Sequence, residues 1–160
     1  MRPALLVALL LTGCASGRPA ISDASLIGTW ECGPTTMHGP NFDLLVTTRT
    51  TNNADRTYSS LTTSVVTPQG GLAVTNKDLA HGTWQLDGDV ITSTVTRVEF
   101  LSSTDATISN RFGQDIQDAQ QKKKSVYQSR IIHFDGQTSR SIPVNSMYKE
   151  AVVESSCKRV

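Results

Sequence analysis

Residues 82–90 read Gly-Thr-Trp-Gln-Leu-Asp-Gly-Asp-Val, and this stretch decides the fold. From Gly82 to Leu86 every second residue is apolar or small, a period of two that predicts a strand with one buried face. The Asp87-Gly88 pair that follows tolerates the positive φ angles of a tight turn. Because a second strand-like run begins directly afterwards at Val90, the stretch predicts an antiparallel β-hairpin.

Alternating runs of this kind recur along most of the chain, separated by turn-forming residues. Asp135-Gly136 predicts a second tight hairpin. In Val90–Phe100 the apolar positions change from odd to even numbers, which a β-bulge would explain. The runs predict eight or nine antiparallel strands, near residues 26–32, 42–50, 56–66, 71–76, 81–87, 89–101, 129–135, 137–144 and 149–159.

One segment has a helical period instead. Apolar residues stand three or four apart in it, as they do on one face of a helix. They are Ile108, Phe112, Ile116 and Ala119. The spacing predicts an α-helix near 114–128, from Gln114 to Gln128, with Gly113 limiting how early it can begin. We expect this helix to be inserted between the two hairpins and to cap one end of the sheet.

The first residues have the order of an export signal. Arg2 supplies a positive charge, Ala4–Leu11 form an apolar core, and small residues lead to Cys14. The apolar core is about half the length of a membrane-spanning helix. A plain secretory signal, or a buried helix with a chance cysteine, is the alternative interpretation.

Leu11-Thr12-Gly13-Cys14 resembles the bacterial lipobox. The resemblance implies that residues 1–13 are a signal peptide and that Cys14 carries diacylglycerol and an amide-linked acyl chain such as palmitate. Residues 14–25 would then form a short acylated tether, and residues 26–160 a single β-barrel domain. Several acyl chains together anchor a protein stably to a membrane. Ala15 stands where aspartate would signal inner-membrane retention, so the resemblance favours a periplasm-facing position on the outer membrane.

With Cys14 assigned to lipid, Cys32 and Cys157 remain as an even pair. In an exported protein such a pair can persist as a disulfide, although two free thiols or a reactive cysteine are the alternatives. Cys32 ends the first predicted strand and Cys157 lies in the last one. Their pairing would bring the two strands together, as closure of a barrel requires. A two-sheet sandwich could satisfy the same pairing.

Gly28-Thr29-Trp30, at the start of the first predicted strand, resembles the Gly-x-Trp signature of lipocalins and lipocalin-like bacterial proteins. The resemblance implies an eight-stranded barrel whose mouth binds a hydrophobic molecule. It also implies that Trp30 closes the base of the barrel against a late basic residue, either Arg159 or Arg140. The chain departs from the family pattern because its predicted helix precedes the last strands and its inward positions carry few large apolar residues. The expected fold is therefore an all-β, lipocalin-like meander barrel with one inserted helix.

A second resemblance is to small periplasmic lysozyme inhibitors, which also carry one cysteine in the first strand and one near the end. Their Ser-Gly-x-x-Tyr loop motif is absent from this sequence. The resemblance implies a protein-interaction module, with Pro34–Pro40 and Pro143–Tyr148 as the candidate contact loops.

Charge and motifs give no support for other functions. The precursor has 15 basic and 14 acidic side chains, and loss of Arg2 makes the balance equal, so nucleic acid is not an expected partner. His38, His81 and His133 have no carboxylate or cysteine at ligand spacing in the sequence. Neither a Gly-x-Ser-x-Gly elbow nor a phosphate-binding loop is found. We therefore expect no enzymatic activity, no metal and no cofactor.

Together these features predict a membrane-anchored envelope lipoprotein with a non-catalytic binding role, for which the first candidate is a small apolar ligand. The alternative is a protein-interaction module, such as an inhibitor of the lysozyme type or an accessory subunit of an envelope complex.

Overall fold

A computed structural model describes residues 21–123, 125–146 and 152–160. The predicted signal peptide and Cys14 lie outside the described residues. In chain order the elements are helix α1 (Asp23–Leu26), strands β1 (Gly28–His38), β2 (Phe42–Asn52), β3 (Thr57–Pro68), β4 (Val74–Asp87) and β5 (Val90–Ser103), helix α2 (Asn110–Lys123), and strands β6 (Val126–Phe134), β7 (Thr138–Pro143) and β8 (Ser155–Arg159).

The strands form a closed antiparallel barrel. Each strand pairs with its neighbours in the sequence, and β8 pairs with β1. The predicted all-β meander barrel with one inserted helix is therefore confirmed. The strands number eight because residues 74–76 of one predicted run and the whole run 81–87 belong to a single strand, β4. They look separate in the sequence because Asp78 occupies an inward-facing position that a strand core would normally fill with an apolar residue.

The predicted β-bulge in β5 is also present. His81 pairs with Arg97 and the next residue, Gly82, pairs with Val95, so Thr96 is an additional residue on β5. The Thr96 hydroxyl donates a hydrogen bond to the carbonyl oxygen of His81 at 3.1 Å. Because of this extra residue, the inward-facing positions of β5 change from odd to even residue numbers, as the sequence pattern predicted.

One end of the barrel is filled by large side chains, and we call it the packed end. Its buried residues are Leu26, Trp30, Tyr58, Trp84, Ile131 and Phe134. Helix α1 covers this end: the indole of Trp30 donates to the Leu26 carbonyl at 3.0 Å, and Ile21 packs against the same cluster. Residues 21–25, assigned to the tether from the sequence, therefore already contact the barrel.

Arg159 lies over Trp30 at the packed end, with its guanidinium carbon 4.5 Å from the ring centroid. Its nitrogen atoms donate to the carbonyl oxygens of Ile27 at 2.6 Å and Gly136 at 3.1 Å. Gly28 has φ +118°, and a Cβ there would lie 2.7 Å from the guanidinium. Of the two basic residues that the lipocalin resemblance suggested, Arg159 thus contacts Trp30.

The other candidate, Arg140, lies on the outer surface, where it pairs with Glu154 at 3.1 Å. Cys32 and Cys157 face each other directly in the β1–β8 ladder, with their sulfur atoms at the bonding distance of 2.07 Å. The expected pairing of these two cysteines is therefore seen in the structure. It joins neighbouring strands of one closed sheet, not the two layers of a sandwich.

Helix α2 differs from its prediction in both position and orientation. It spans Asn110–Lys123, and the predicted residues 126–128 belong to β6. Gly113 lies inside the helix because a Cβ there would come within 2.6 Å of the Phe100 ring. The predicted apolar face is only partly buried: Ile108 and Ile116 are half-buried, whereas Phe112 is 53% exposed and Ala119 is exposed too.

The helix also does not cap an end of the sheet. It lies along β5, whose pairing with β6 covers only Val90–Thr94. Further along β5, the side-chain amide of Gln114 replaces a strand neighbour. It donates to the carbonyl of Val98 and accepts from the amide of Phe100, both at 2.8 Å. Helix α2 therefore continues the barrel wall where β6 is too short to do so.

Candidate ligand cavity

The barrel interior changes character along its length, and strands β2, β3 and β4 show the change most clearly. Their register aligns the inward-facing residues in rows across the three strands. From the packed end outward the rows are Asn52–Tyr58–Gly82, Thr50–Ser60–Ala80, Thr48–Thr62–Asp78, Val46–Ser64–Asn76 and Leu44–Val66–Val74. Beyond the Tyr58 row the inward side chains are mostly small, so they leave the interior unfilled. We call this part the hollow half.

Two adjoining cavities occupy the hollow half. The inner cavity has a volume of about 560 Å³ and begins at Tyr58 and Ser60. The outer cavity has a volume of about 400 Å³ and extends to Leu44 and Val66. Each volume lies within the range of small-molecule pockets. Thr62 lines both cavities, which places them in one continuous interior.

The two cavities differ in the chemistry of their walls. The inner cavity carries several hydroxyl groups, including those of Thr48, Thr50, Ser60, Thr62 and Ser93. The outer cavity has larger apolar side chains, including Leu44, Val66, Phe100, Ile108 and Ile116, and it also carries the polar groups of Asn76 and Asp78. Both cavities thus combine polar groups with apolar walls.

The hydroxyl groups of the inner cavity are uncharged at neutral pH. Thr50 and Ser60 share a hydrogen bond of 2.7 Å across the β2–β3 ladder. Burial, and to a smaller extent the neighbouring Tyr127, raises the pKa of Tyr58 to about 12. Burial raises the pKa of Tyr127 as well. Both phenols therefore remain protonated and can act as hydrogen-bond donors as well as acceptors.

Helix α2 supplies glutamine side chains to the cavity wall. Gln117 and Gln120 line both cavities and Gln121 lines the inner one, a spacing that places the three on neighbouring positions of one helical face. The side-chain amide of Gln117 donates to Oδ1 of Asp78 at 2.7 Å. The helix therefore contributes polar groups to the interior, where an apolar face was predicted.

Asp78 is the only carboxylate among the described residues that line either cavity. Burial raises the pKa of this carboxyl group, and the hydrogen bond from Gln117 opposes the rise. Two residues away on the same face of β4, Asn76 Oδ1 is buried and has no hydrogen-bond partner among the described residues. Asp78 therefore presents a carboxylate to the outer cavity with one donor bound, whereas the neighbouring Asn76 Oδ1 is sealed from solvent.

The three histidines lie on the outside of the barrel. Each has a carboxylate nearby that sequence spacing did not reveal: Asp43 at 2.7 Å from His38, Glu99 at 3.6 Å from His81, and Asp135 at 3.7 Å from His133. Cross-strand register and a hairpin turn create these pairs, which corrects the view of the histidines as isolated. None of them lines the two interior cavities, and the described residues contain no group of three metal-ligating side chains.

A larger depression, of about 680 Å³, lies on the outer wall beside the disulfide. Its central charges are paired with one another, since Glu31 contacts Lys158 at 3.5 Å and Arg49 at 3.8 Å. Exposed ion pairs of this kind are common on protein surfaces and do not indicate a ligand site. The predicted contact loops give no stronger candidate, because Pro34–His38 belongs to β1 and residues 147–148 lie outside the described residues.

Comparison with models of known protein families finds no match for this chain, and comparison with curated proteins finds no relative. The described residues themselves define its class as a small closed antiparallel barrel with a lipocalin-like meander, one packed end and one hollow half. Among the helices of the described ranges, none combines the length and the apolar character needed to span a bilayer.

Sequence reasoning singled out the packed end but not the residues of the cavity. Asp78, Asn76 and Gln117 were not identified as site residues. The two-residue alternation along β4 could have identified Asp78 and Asn76. Both have even numbers, as Gly82 and Trp84 do, so their side chains face inward as well.

Proposed function

We propose that this protein is a membrane-anchored envelope lipoprotein whose barrel binds a small amphipathic molecule without catalysing a reaction. The observation that carries the proposal is the hollow half, whose two cavities combine hydroxyl, amide and carboxylate groups with apolar side chains. A ligand with a polar head and an apolar tail matches this mixture of groups.

The wall chemistry supports an amphipathic ligand over a wholly apolar one. An apolar molecule in the inner cavity would displace water from hydroxyl groups without replacing its hydrogen bonds, and burying an unpaired hydroxyl costs about 1–3 kcal/mol. The hydroxyls of Thr48 and Thr62 face the interior beside Asp78, so an apolar ligand would bury them without hydrogen-bond partners. A polar head would satisfy them.

Membrane anchoring is the second part of the proposal, and it rests on the lipobox-like sequence that ends at Cys14. The paired Cys32 and Cys157 support export, because disulfides persist in oxidising compartments. Metabolic labelling with palmitate in a bacterial host tests it. We expect the wild-type protein to be labelled and Cys14→Ser to remain unlabelled. Labelling of Cys14→Ser at the wild-type level would overturn the anchoring proposal.

Ligand binding can be tested with Nile red, a neutral apolar dye whose fluorescence rises in apolar surroundings. Thr62→Phe places a large side chain in both cavities, whereas Thr63→Phe places the same side chain on the outer face of the same strand. We expect the dye to bind wild type and Thr63→Phe equally and to bind Thr62→Phe at least about tenfold more weakly, as steric exclusion from a filled pocket predicts. Equal binding by the two variants would contradict a cavity site, and thermal melting checks that both fold.

A further inference from the structure

The wall of the outer cavity contains a hydrogen-bond acceptor that the protein uses only in part. Asp78 has two oxygen atoms, and the Gln117 amide donates to one of them. A half-buried carboxylate oxygen without a donor is unfavourable, so a molecule that brings a donor to Asp78 is favoured.

The charge at this place is also unbalanced. No lysine, arginine or histidine is among the described residues that line either cavity. The carboxylate of Asp78 consequently lies in a half-buried position with no cation of the protein beside it. In such surroundings an opposite charge is attracted more strongly than in water, and a like charge is repelled by a comparable amount.

The geometry leaves Asp78 open to one ligand group. Asp78 lines the outer cavity, and the Gln117 amide donates to only one of its two oxygen atoms. An ammonium group carries three N–H donors and a positive charge, so it can pair with the carboxylate. Gln117, at 2.7 Å from Asp78 Oδ1, holds the carboxylate in place from α2.

We propose that the cavity selects amphipathic molecules whose head is a primary amine, with Asp78 as the counter-ion. Gln117 is a positioning residue that orients Asp78. The inference rests on the proposed ligand-binding function and adds the class of ligand. A fatty acid is disfavoured because its carboxylate would meet that of Asp78, and an alcohol because it brings no charge.

Three probes with the same apolar chain separate these heads: decylamine, decanol and decanoic acid. Each is titrated against the Nile red complex of the purified protein at pH 7. We expect the amine to displace the dye at a concentration about tenfold below that of the alcohol, since close charge pairs commonly contribute that much or more. The acid should be the weakest of the three.

Two variants on β4 make the test specific. Asp78→Asn removes the charge with little change of shape, and we expect it to bring the amine and the alcohol within about threefold of each other, because the ion pair is lost. Asp87→Asn removes an exposed carboxylate from the end of the same strand and should keep the wild-type preference. Gln117→Leu should reduce the preference for the amine without abolishing it.

The outcomes distinguish the two proposals. If decanol or decanoic acid binds wild type as well as decylamine does, or if Asp78→Asn keeps the amine preference, the amine inference is overturned while ligand binding stands. If neither Nile red nor any of the three probes binds wild type, the proposed binding function fails as well.

Discussion

Trp30 and Arg159 are directly opposite each other in the β1–β8 ladder, and the arginine side chain lies across the tryptophan ring. Cys32 and Cys157 form the cross-strand pair two residues further along the same ladder. The seam that closes the barrel thus carries a cation–π contact and a covalent bond side by side. Both act on the same pair of strands, so the seam can be tested at two neighbouring positions.

Arg159→Ala should reduce the free energy of unfolding by about 2–5 kcal/mol. The change removes charged hydrogen bonds to partly buried carbonyl oxygens, worth roughly 1.5–3 kcal/mol, and a cation–π contact, worth about 0.5–2 kcal/mol. Arg140→Ala is the matched control, because that exposed side chain should change stability by less than about 1 kcal/mol. Urea denaturation measures both, and similar losses in the two variants would contradict the role of Arg159 in closure.

Replacing Cys32 and Cys157 together with alanine should also destabilise the barrel. The disulfide closes a sequence separation of 125 residues. For a loop of this length the chain-entropy model gives an upper value of about 4–5 kcal/mol. Denaturation of the wild type with and without reductant provides an independent measurement of the same quantity. A loss below about 1 kcal/mol by both methods would show that the strand ladder alone closes the barrel.

Gly113→Ala should destabilise the protein, although alanine is the better helix former by about 1 kcal/mol. The opposite sign is expected because the added Cβ would lie 2.6 Å from three atoms of the Phe100 ring. In a Phe100→Leu background the ring is absent, so the same substitution should become neutral or stabilising. A double-mutant cycle measured by thermal melting checks this coupling. Additive effects would mean that α2 does not pack on β5 through this contact.

Asp78→Asn should raise the melting temperature at pH 7. The pKa of Asp78 is raised above its ordinary value, so its ionised form is disfavoured in the folded state and costs stability at any pH above the folded pKa. As pH falls below the ordinary value, the carboxyl becomes protonated in both states and the difference should disappear. Melting curves of wild type and variant at pH 7 and pH 3 test this. A variant less stable than wild type at pH 7 would contradict it.

Asp135→Ala should show the opposite pH dependence. Hydrogen bonds from the Thr138 hydroxyl, the Thr138 amide and the Gln137 amide lower the pKa of Asp135 at the β6–β7 turn. The ionised form therefore stabilises the folded state above the ordinary pKa, and this contribution is lost as pH falls through the folded value. The variant should be less stable than wild type at pH 7 and nearly equal to it in strong acid. Asp115→Ala, an exposed change on α2, serves as the control.

Much of the barrel could be predicted from the sequence because the alternation of apolar and polar residues shows which side chains of a strand face inward. Each side chain of a strand faces either in or out, so Trp84 indicates the inward positions of β4. The apolar positions of β5 change from odd to even numbers, and this change predicted a β-bulge, which the structure places at Thr96. The cysteine pair favoured a closed sheet but left a two-sheet sandwich open, and the ladder between β1 and β8 decides for closure.

Helix α2 could not be placed this way because it does not face an apolar core. The residues that it turns towards the barrel include Gly113 and Gln117, whereas Phe112 is exposed. A search for apolar periodicity therefore finds Ile116 but also includes the exposed Phe112, and it sets the wrong limits. Gly113 looked like a helix boundary, and only the tertiary contact with Phe100 explains its place inside the helix.

The chain enters the barrel at its packed end, where Ile21 contacts the core, and this has a directional consequence if Cys14 carries lipid. The seven peptide units between Cys14 and Ile21 can span at most about 25 Å. Strand β2 has 11 residues and is about 36 Å long at 3.3 Å per residue. The anchor would then draw the Trp30 end towards its leaflet and turn the Leu44 end outward. Such a protein would exchange cargo with the aqueous space in front of it, not with the lipid beneath it.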